Sequence, residues 1–221
     1  MRQVWHDLLF AHWPVDPEIL RPLVPAQLRL DTLEGKCWLG LAPFRMSGIR
    51  ARGLPALPGL SRFPELNLRT YVRLDNQPGV FFFSLDVASR AAVWAARKFF
   101  YLPYYHARMS VVSDDVWIHY LSRRIDSGAE FRGRYRPIGP VQLRLSGSLP
   151  HWLSERYCLY TVSEQRAFRA EIHHQPWPLQ DAEWEVEVNT MAEGISPSAI
   201  PPLLHFSRRL EVLIWPLRRI G

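Results

Sequence analysis

The chain has 221 residues, of which 48% are hydrophobic and 13% aromatic, so it can bury a sizeable core and is not a disordered protein. Its formal net charge of +6 comes almost entirely from arginine, since Lys36 and Lys98 are the only lysines. The arginines are scattered rather than gathered into a basic run, which argues against nucleic acid as a partner.

The first quarter of the chain is predicted to alternate between strands and proline-bounded turns. Residues 3–13 are predicted to be extended, and Asp16-Pro17-Glu18 then begins a short helix, with Asp as the cap and Pro at the first position. Residues 28–46 are predicted to form a hairpin around Glu34-Gly35. The proline-rich residues 51–64 are predicted to be a loop, long enough to act as a lid or pocket rim.

Alternation of polar and apolar residues predicts further half-buried strands in the rest of the chain. These strands are predicted over 65–74, 128–136, 182–189 and 204–214, and a further strand is predicted over 104–112. In the first of them, Glu65, Asn67, Arg69, Tyr71 and Arg73 share one face, and mainly leucines share the other. The run 80–85 lacks alternation and is predicted to be buried on both faces.

Two of the predicted strands carry opposite charges at every second position. Residues 182–189 contain three glutamates in this pattern, and residues 128–136 contain three arginines. We predict that these strands are neighbours joined by cross-strand ion pairs, each contributing less than about 1 kcal/mol if exposed.

One long helix is predicted over 87–100, because five alanines give that segment high helix propensity and Asp86 can cap it. A mainly β fold follows, with an antiparallel sheet curved or closed as a barrel and the helix packed outside. No internal repeat or linker divides the chain, so residues 1–221 are predicted to form one domain.

Stock catalytic signatures are absent: there is no GxGxxG, P-loop, HExxH or GxSxG motif, so no cofactor and no metal site is predicted. Cys37 and Cys158 fit no zinc or redox spacing and are predicted to be buried free thiols. The longest apolar run near the N-terminus, Leu8–Ala11, is too short for a signal peptide or a membrane span. A cytoplasmic protein without a membrane partner is therefore predicted.

The chemically richest segment is Tyr101-Leu-Pro-Tyr-Tyr-His-Ala-Arg-Met109, which directly follows the predicted helix. It contains three phenols, an imidazole and a guanidinium. Strand alternation would place Tyr104, His106 and Arg108 on one face, which predicts one wall of a pocket. The same face is also consistent with a hydrogen-bonded barrel interior or with a solvated outer surface.

Several ordered blocks resemble the YqjF-like proteins, a bacterial family defined as a domain of unknown function. These blocks are Phe10-Ala-His-Trp-Pro-Val15, Pro43-Phe-Arg-Met46, Phe63-Pro-Glu-Leu-Asn67, Gly79-Val-Phe-Phe-Phe-Ser-Leu-Asp86 and Leu102-Pro-Tyr-Tyr-His-Ala-Arg-Met109. The chain is more distantly similar to acetoacetate decarboxylase and its relatives. That resemblance implies a cone-like antiparallel β barrel with flanking strands, enclosing a small polar-lined cavity.

The decarboxylase motif has a proline followed by two lysines, the first of which forms a Schiff base with the substrate. Pro103-Tyr104-Tyr105 occupies that motif in this chain. Because a phenol cannot form an iminium with a ketone, Schiff-base decarboxylation is not expected here. Lys98 is expected to be a solvated charge at the end of the helix, whereas Glu65 resembles the pocket glutamate of the decarboxylase.

The predicted catalytic residues are Glu65, Tyr104 and His106, and the predicted substrate-binding residues are Asn67, Tyr105 and Arg108. Burial would raise the pKa of Glu65 toward neutrality and suit it to proton transfer. Tyr104 can donate a hydrogen bond to a carbonyl or enolate oxygen, and the Arg108 guanidinium suits a carboxylate.

Three functions remain open at this point. The first is a lyase- or isomerase-like enzyme that acts on a small oxo acid by acid–base chemistry without a Schiff-base lysine. The second is a non-catalytic binder of a small organic or lipid-like ligand, since nine Trp, eleven Phe and eight Tyr would line such a site well. The third, on charge alone, is a nucleic-acid-associated protein. Exposed strand edges also predict a homodimer.

Overall fold

The computed structural model describes residues 1–50, 61–195 and 200–220, and these form a mainly β structure. The strands are β1 (Arg2–Val15), β2 (Arg29–Leu30), β3 (Cys37–Arg50), β4 (Phe63–Leu74), β5 (Gln77–Val87), β6 (Tyr104–Ser113), β7 (Ile118–Arg124), β8 (Glu130–Gln142), β9 (Cys158–Ser163), β10 (Arg166–His174), β11 (Leu179–Asn189), β12 (Leu203–Ile214) and β13 (Arg218–Ile220). Most of the predicted loop 51–64 lies outside the described residues, and its last two residues begin β4.

The helices are short apart from one. They are α1 (Pro17–Leu20), which continues into a 3-10 turn at Arg21–Leu23, α2 (Arg90–Phe100) and α3 (Leu149–Ser154). The first two were predicted, whereas α3, like β7 and β9, was not. Among the described residues, no helix is both long and apolar enough to cross a membrane.

The strands form one sheet in the order β13-β10-β9-β5-β6-β7-β8-β11-β12-β1-β3-β4-β2, and two further pairings, β4 with β5 and β10 with β12, close it on itself. One closed ring runs through β5, β6, β7, β8, β11, β12, β1, β3 and β4. The other replaces β6, β7, β8 and β11 with β9 and β10, so it has seven strands. The predicted mainly β, ring-like architecture is thereby confirmed.

Five strands belong to both rings and form a wall with an interior compartment on each side. Along β1, Leu8 and Phe10 point into the compartment enclosed by the seven-strand ring, whereas Leu9 and Ala11 point into the one enclosed by the nine-strand ring. We call these the seven-strand and the nine-strand compartment. Because side chains alternate along a strand, one shared wall supplies the core of both.

The prediction of an antiparallel sheet holds for most strand pairs but not for all of them. The strand β5 pairs in parallel with β6 and with β9. A parallel neighbour needs a long connection between the two strands, and α2 supplies it between β5 and β6. This crossover delivers Tyr104 to the edge of β5, opposite Leu85.

The predicted pairing of the charged strands is confirmed, since β8 and β11 are antiparallel neighbours. Their ion pairs join Arg132 to Glu187, Arg134 to Glu185 and Arg136 to Glu183. These side chains are largely exposed to solvent, so each pair contributes little to stability.

The hairpin predicted over 28–46 forms only at its turn. Leu33 and Lys36 are bridged around Glu34 and Gly35, both of which have positive φ angles. The strand β2, however, pairs with β4 rather than β3. Both edges of β3 are already occupied by β1 and β4, so the first arm of the hairpin has no free edge to join.

The predicted cap of the long helix is also wrong. Ser89 caps α2, because its Oγ accepts a hydrogen bond from the Ala92 amide at 3.2 Å. The strand β5 continues through Val87 and carries Asp86 into the interior, where it is fully buried. There Asp86 accepts hydrogen bonds from Arg124 at 2.7 Å and from Ser122 at 3.0 Å.

Candidate functional site

A cavity of about 500 Å³ lies in the seven-strand compartment. Its wall is mostly apolar and includes the side chains of Trp5, Phe44, Phe63, Phe82 and Trp177. The helix α2 borders the cavity with a face made largely of alanines, and Val93 is its only buried residue. Cavities of this size and lining are typical of small-molecule sites.

One face of β4 contributes three polar side chains to the cavity wall. Glu65, Asn67 and Arg69 line the cavity, while Leu66 and Leu68 point into the nine-strand compartment. The alternation predicted from the sequence is therefore confirmed for this strand, and it places an acid, an amide and a guanidinium in one row.

Glu65 is hydrogen-bonded to Tyr104 across the cavity wall. The Tyr104 Oη donates to Glu65 Oε2 at 2.8 Å, and Glu65 is only 4% exposed. Burial raises the pKa of Glu65 from 4.5 to about 7, although hydrogen bonds from Tyr104 and Asn67 act in the opposite direction. Near neutral pH the carboxyl group can therefore either accept or release a proton.

Tyr104 keeps its own proton. Burial, together with the adjacent Glu65 carboxylate, raises the pKa of Tyr104 well above its usual value of 10. The phenol is thus a hydrogen-bond donor and not a base at neutral pH. Its backbone is held by two elements, since Arg97 of α2 donates to the Tyr104 carbonyl at 2.7 Å and β5 pairs with the start of β6.

The backbone of Glu65 is fixed from the nine-strand compartment. The Tyr120 hydroxyl lies 2.7 Å from the Glu65 carbonyl oxygen and 3.2 Å from that of Phe44. Asp86 adds a buried negative charge that raises the pKa of Glu65 further. Groups outside the cavity therefore fix the backbone of the acid and add to the rise of its pKa.

Tyr105 lies behind this site and does not line the cavity. Its ring is 4.3 Å from the Arg124 guanidinium carbon and 5.5 Å from that of Arg97. Because Arg124 is also the partner of Asp86, the predicted substrate-binding residue Tyr105 is placed in a supporting network rather than in the cavity.

His106 and Arg108 are not among the residues that line this cavity, so the structure does not bring them together with Tyr104 in its wall. In β6, Ala107 is buried and Met109 packs against the core of the nine-strand compartment. The alternate positions therefore point away from that compartment, and Arg108 is exposed to solvent. Of the residues of β6, Tyr104 alone lines the cavity, and it is the first residue of that strand.

Arg69 is the polar group that sequence reasoning did not select. It is 8% exposed, and its guanidinium carbon is 5.1 Å from the Phe10 ring and 5.9 Å from the Tyr71 ring. Within residues 1–50, 61–195 and 200–220 it forms no salt bridge, and its Nε has no hydrogen-bond partner. In the sequence, the signal that could have identified Arg69 was its position on the same face of the predicted strand 65–74 as Glu65.

A neutral histidine lies behind Arg69. The Tyr71 hydroxyl is 2.6 Å from His12 Nε2 and donates to the Leu153 carbonyl at 2.8 Å. Burial and the nearby Arg69 charge hold the pKa of His12 well below 6.5. Gly40 makes this arrangement possible, since a Cβ there would lie 3.1 Å from the His12 ring and 3.4 Å from Arg69 Cγ.

A second buried arginine, Arg156, also reaches the cavity but is already paired. Its guanidinium is 2.5 Å from Asp31 and stacks 4.0 Å from the centre of the Trp152 ring. Asp31 is shared with Arg73 at 2.7 Å. One carboxylate thus serves two arginines while Arg69 has none in the described chain, so this end of the cavity carries excess positive charge.

Neither lysine lies in the cavity wall. Lys36 is exposed and paired with Asp16 at 2.6 Å, and Lys98 is exposed on α2. Across the described residues, no cluster of three or more His, Cys, Asp or Glu side chains is arranged to hold a metal ion. The polar groups of the cavity wall include a carboxyl group, a phenol and two guanidinium groups, around a mostly apolar space.

Sequence comparison relates the chain to proteins of undetermined activity. Residues 2–211 match the DUF2071 family model, described as "Uncharacterized conserved protein (COG2071)". The uncharacterized protein YqjF of Bacillus subtilis (strain 168) is 50% identical over 222 residues, which cover 99% of this chain and 92% of that protein.

Structural comparison gives more distant similarities. The enduracididine biosynthesis enzyme MppR in complex with pyruvate has a TM-score of 0.67 at 12% identity, covering 100% of this chain and 90% of that one. Acetoacetate decarboxylase from Legionella pneumophila has a TM-score of 0.68 at 12% identity, covering 100% and 87%. Identities this low establish an acetoacetate decarboxylase-like fold and no more.

Proposed function

Because the chain belongs to the DUF2071 family and has an acetoacetate decarboxylase-like fold, we propose that its cavity binds an oxo acid and catalyses proton transfer on it without a Schiff base. The observation that carries this proposal is the Glu65–Tyr104 pair in the cavity wall. It joins an acid with a pKa of about 7 to a phenol that stays protonated. A base beside a hydrogen-bond donor is what enolisation of a carbonyl compound requires.

The proposed step is removal of a proton from the carbon next to the substrate carbonyl. The C–H bond breaks and its proton passes to the Glu65 carboxylate. The C–H electron pair forms the C=C bond of the enolate, and the carbonyl π pair moves onto oxygen. The Tyr104 hydroxyl turns from Glu65 to donate a hydrogen bond to that oxygen. Arg69 supplies a cationic group in the same cavity wall.

Covalent catalysis through an imine is not part of the proposal. Among the described cavity-lining residues there is no lysine, and Pro103-Tyr104-Tyr105 resembles the decarboxylase motif with tyrosine in place of the nucleophilic lysine. Treatment with acetoacetate or pyruvate and a borohydride should therefore leave the mass of the protein unchanged. A reduced adduct on a lysine would contradict this.

The direct test is exchange of substrate protons with solvent. Oxo acids from pyruvate and acetoacetate to oxo-octanoates are incubated with the protein in D₂O and followed by proton NMR. We expect enzyme-dependent loss of the signals next to the carbonyl, with a rate that rises as pH increases through about 7, where Glu65 ionises. MppR was crystallised with pyruvate, which supports starting from this class of compound.

Three variants make the test specific. Glu65→Gln should abolish exchange and retain binding, and Tyr104→Phe should slow exchange by about 10²- to 10³-fold. Tyr105→Phe is the matched control, because that phenol lies outside the cavity, and it should exchange at the wild-type rate. Exchange that survives in Glu65→Gln would overturn the proposed role of the acid.

A non-catalytic ligand-binding protein is the second candidate, favoured by the large share of apolar side chains in the cavity wall. It predicts ligand binding with no proton exchange in the wild-type protein.

A cytoplasmic location is part of the proposal, since Cys37 and Cys158 are buried free thiols. The homodimer and the single domain over residues 1–221 stay predictions.

A further inference from the structure

The cavity is much larger than a compact oxo acid requires. At about 30 Å³ per water molecule, a volume of about 500 Å³ corresponds to roughly seventeen waters. A three-carbon acid such as pyruvate would leave most of that space to water. Much of that water would face aromatic and aliphatic side chains such as Trp5, Phe63 and Phe82, which offer it few hydrogen bonds.

The two ends of the polar row are far apart. Glu65 and Arg69 are four residues apart on β4, which places their Cα atoms about 13 Å from each other. The Arg69 guanidinium lies over the rings of Phe10 and Tyr71, whereas the Glu65 carboxyl group contacts Tyr104. A carboxylate on Arg69 and a carbonyl group at Glu65 therefore belong to opposite ends of one ligand.

Arg69 is suited to bind an anion. A buried guanidinium without a carboxylate is costly, and within the described residues Arg69 has no acidic partner while its Nε has no acceptor. Asp31 is already shared by Arg73 and Arg156, and the charge of Arg69 helps to keep the pKa of the buried His12 low, so His12 is neutral. A ligand carboxylate supplies the missing charge and can accept two hydrogen bonds from the guanidinium.

We infer that the ligand is an amphiphilic oxo acid in which an apolar chain or ring separates the carboxylate from the carbonyl. Its carboxylate binds Arg69, its apolar body packs between the aromatic wall and the alanine face of α2, and its carbonyl reaches Tyr104 and Glu65. This inference rests on the proposed function and defines its substrate class. Pyruvate and acetoacetate are too short to span the site.

The first test measures affinity against chain length by calorimetry, using straight-chain monocarboxylates from acetate to decanoate. Each added CH₂ should tighten binding by about fourfold until the cavity is filled. A dissociation constant that does not change between butanoate and octanoate would overturn the inference. It would leave proton exchange on short oxo acids, and hence the proposed function, unaffected.

The second test addresses the carboxylate anchor. Arg69→Met keeps an unbranched apolar side chain but removes the guanidinium and its charge. It should weaken octanoate binding about 10- to 100-fold and leave the affinity for the neutral analogue octanol unchanged. Arg108→Met is the matched control, since that arginine is exposed on β6 outside the cavity lining. Equal octanoate affinity for Arg69→Met and the wild type would overturn the anchor.

The third test fills the apolar part of the cavity. Ala96 of α2 is a half-buried lining residue, and Ala96→Trp should abolish octanoate binding while acetate still binds, as followed by NMR. Ala170→Val on β10 provides a smaller filling from the opposite wall if the first variant does not fold. Octanoate binding at wild-type affinity in a folded filled variant would contradict the assigned position of the apolar body.

Proton exchange separates the two proposals. Oxo-octanoates with the carbonyl distant from the carboxylate should exchange faster than pyruvate in the wild type, and not at all in Glu65→Gln. Tight binding of octanoate without any exchange of these oxo acids would support the amphiphilic ligand and overturn the proton-transfer function. Faster exchange of pyruvate than of the long acids would overturn the substrate class and support the proposed function.

Discussion

The two compartments on either side of the shared wall differ in packing and in the surroundings of their polar side chains. In the nine-strand compartment Tyr120, Phe131, Tyr135 and Phe206 fill the interior and are each at most 2% exposed. Both tyrosine hydroxyls there bind backbone carbonyl oxygens. In the seven-strand compartment, by contrast, polar side chains face an open cavity. A filled, hydrogen-bonded interior supports structure, whereas an open one with unpaired charge is suited to a ligand.

The filled compartment also holds the open one in place. Tyr120 reaches through the shared wall to the backbone carbonyls of Glu65 and Phe44, on two neighbouring strands. A side chain that is fixed by packing can hold its partner to within the small tolerance that catalysis requires. The comparison therefore predicts that mutations on the two sides have different consequences.

The largest difference is expected for aromatic truncation. Phe131→Ala should destabilise the protein by about 3–5 kcal/mol, because it creates a new void in a filled interior. Phe63→Ala, in the half-buried cavity wall, should cost less than half of that, since the space beside it is already open. Urea unfolding of both variants measures the difference, and equal losses would mean that the two compartments are packed alike.

The next largest effect concerns pH. The pKa of Glu65 is about 7 in the folded protein against 4.5 for an ordinary glutamate, so the folded state binds the proton more tightly. Stability should therefore fall as pH rises from about 4.5 to about 7, by about 3 kcal/mol. Glu65→Gln lacks this dependence. The difference between the two proteins, measured by urea unfolding across this range, isolates Glu65, and a constant difference would contradict the raised pKa.

Two buried arginines should respond in opposite directions. Arg69→Met should stabilise the ligand-free protein by about 1–3 kcal/mol, because it removes a buried charge that has no acidic partner among the described residues. Arg156→Met should destabilise it, because Arg156 is paired with Asp31. Thermal unfolding without ligand tests both signs. Destabilisation by Arg69→Met would show that its charge is already compensated.

Removing the tyrosine that links the compartments should have a smaller effect on stability. Tyr120→Phe leaves two buried carbonyl oxygens without that donor and should lower the unfolding free energy by about 1–2 kcal/mol.

Tyr104→Phe should instead raise the pKa of Glu65 further, because the hydrogen bond that it removes lowers that pKa in the wild type. Carboxyl-carbon NMR titration of Glu65 separates the two variants, and a lower pKa in Tyr104→Phe would contradict the geometry.

The smallest effect is expected outside both compartments. Arg134 and Glu185 form an exposed pair at 2.7 Å between β8 and β11. Arg134→Ala should change the unfolding free energy by less than about 1 kcal/mol, and less again in high salt. If the unfolding free energy fell by several kcal/mol, this exposed ion pair would contribute as much to stability as buried residues do.

The local sequence pattern was sufficient to predict features that depend on a single strand or helix. Alternation placed Glu65, Asn67 and Arg69 on one face of β4, and charge periodicity paired β8 with β11. Alanine content predicted α2 to within a few residues at its start. These features depend on side-chain geometry within a few residues of sequence, and the chain itself specifies that.

The remaining features depend on how distant strands pair to close the sheet. Alternation gives β6 two faces, but the position of the ring determines that Tyr104 meets the cavity and Arg108 meets solvent. Asp86 became an interior ion-pair residue because β5 runs further than expected, and β2 lost its predicted partner because both edges of β3 were occupied.

The sequence by itself determined the mainly β fold class and the row of polar groups on β4. Only the tertiary structure decided that Arg69 lacks an acidic partner in the described chain, that Glu65 is buried enough for its pKa to reach about 7, and that a cavity of about 500 Å³ lies between them. Periodicity is a property of neighbours in sequence. Burial, charge balance and empty space are properties of strands brought together by pairings such as β4–β5 and β10–β12, which no local pattern contains.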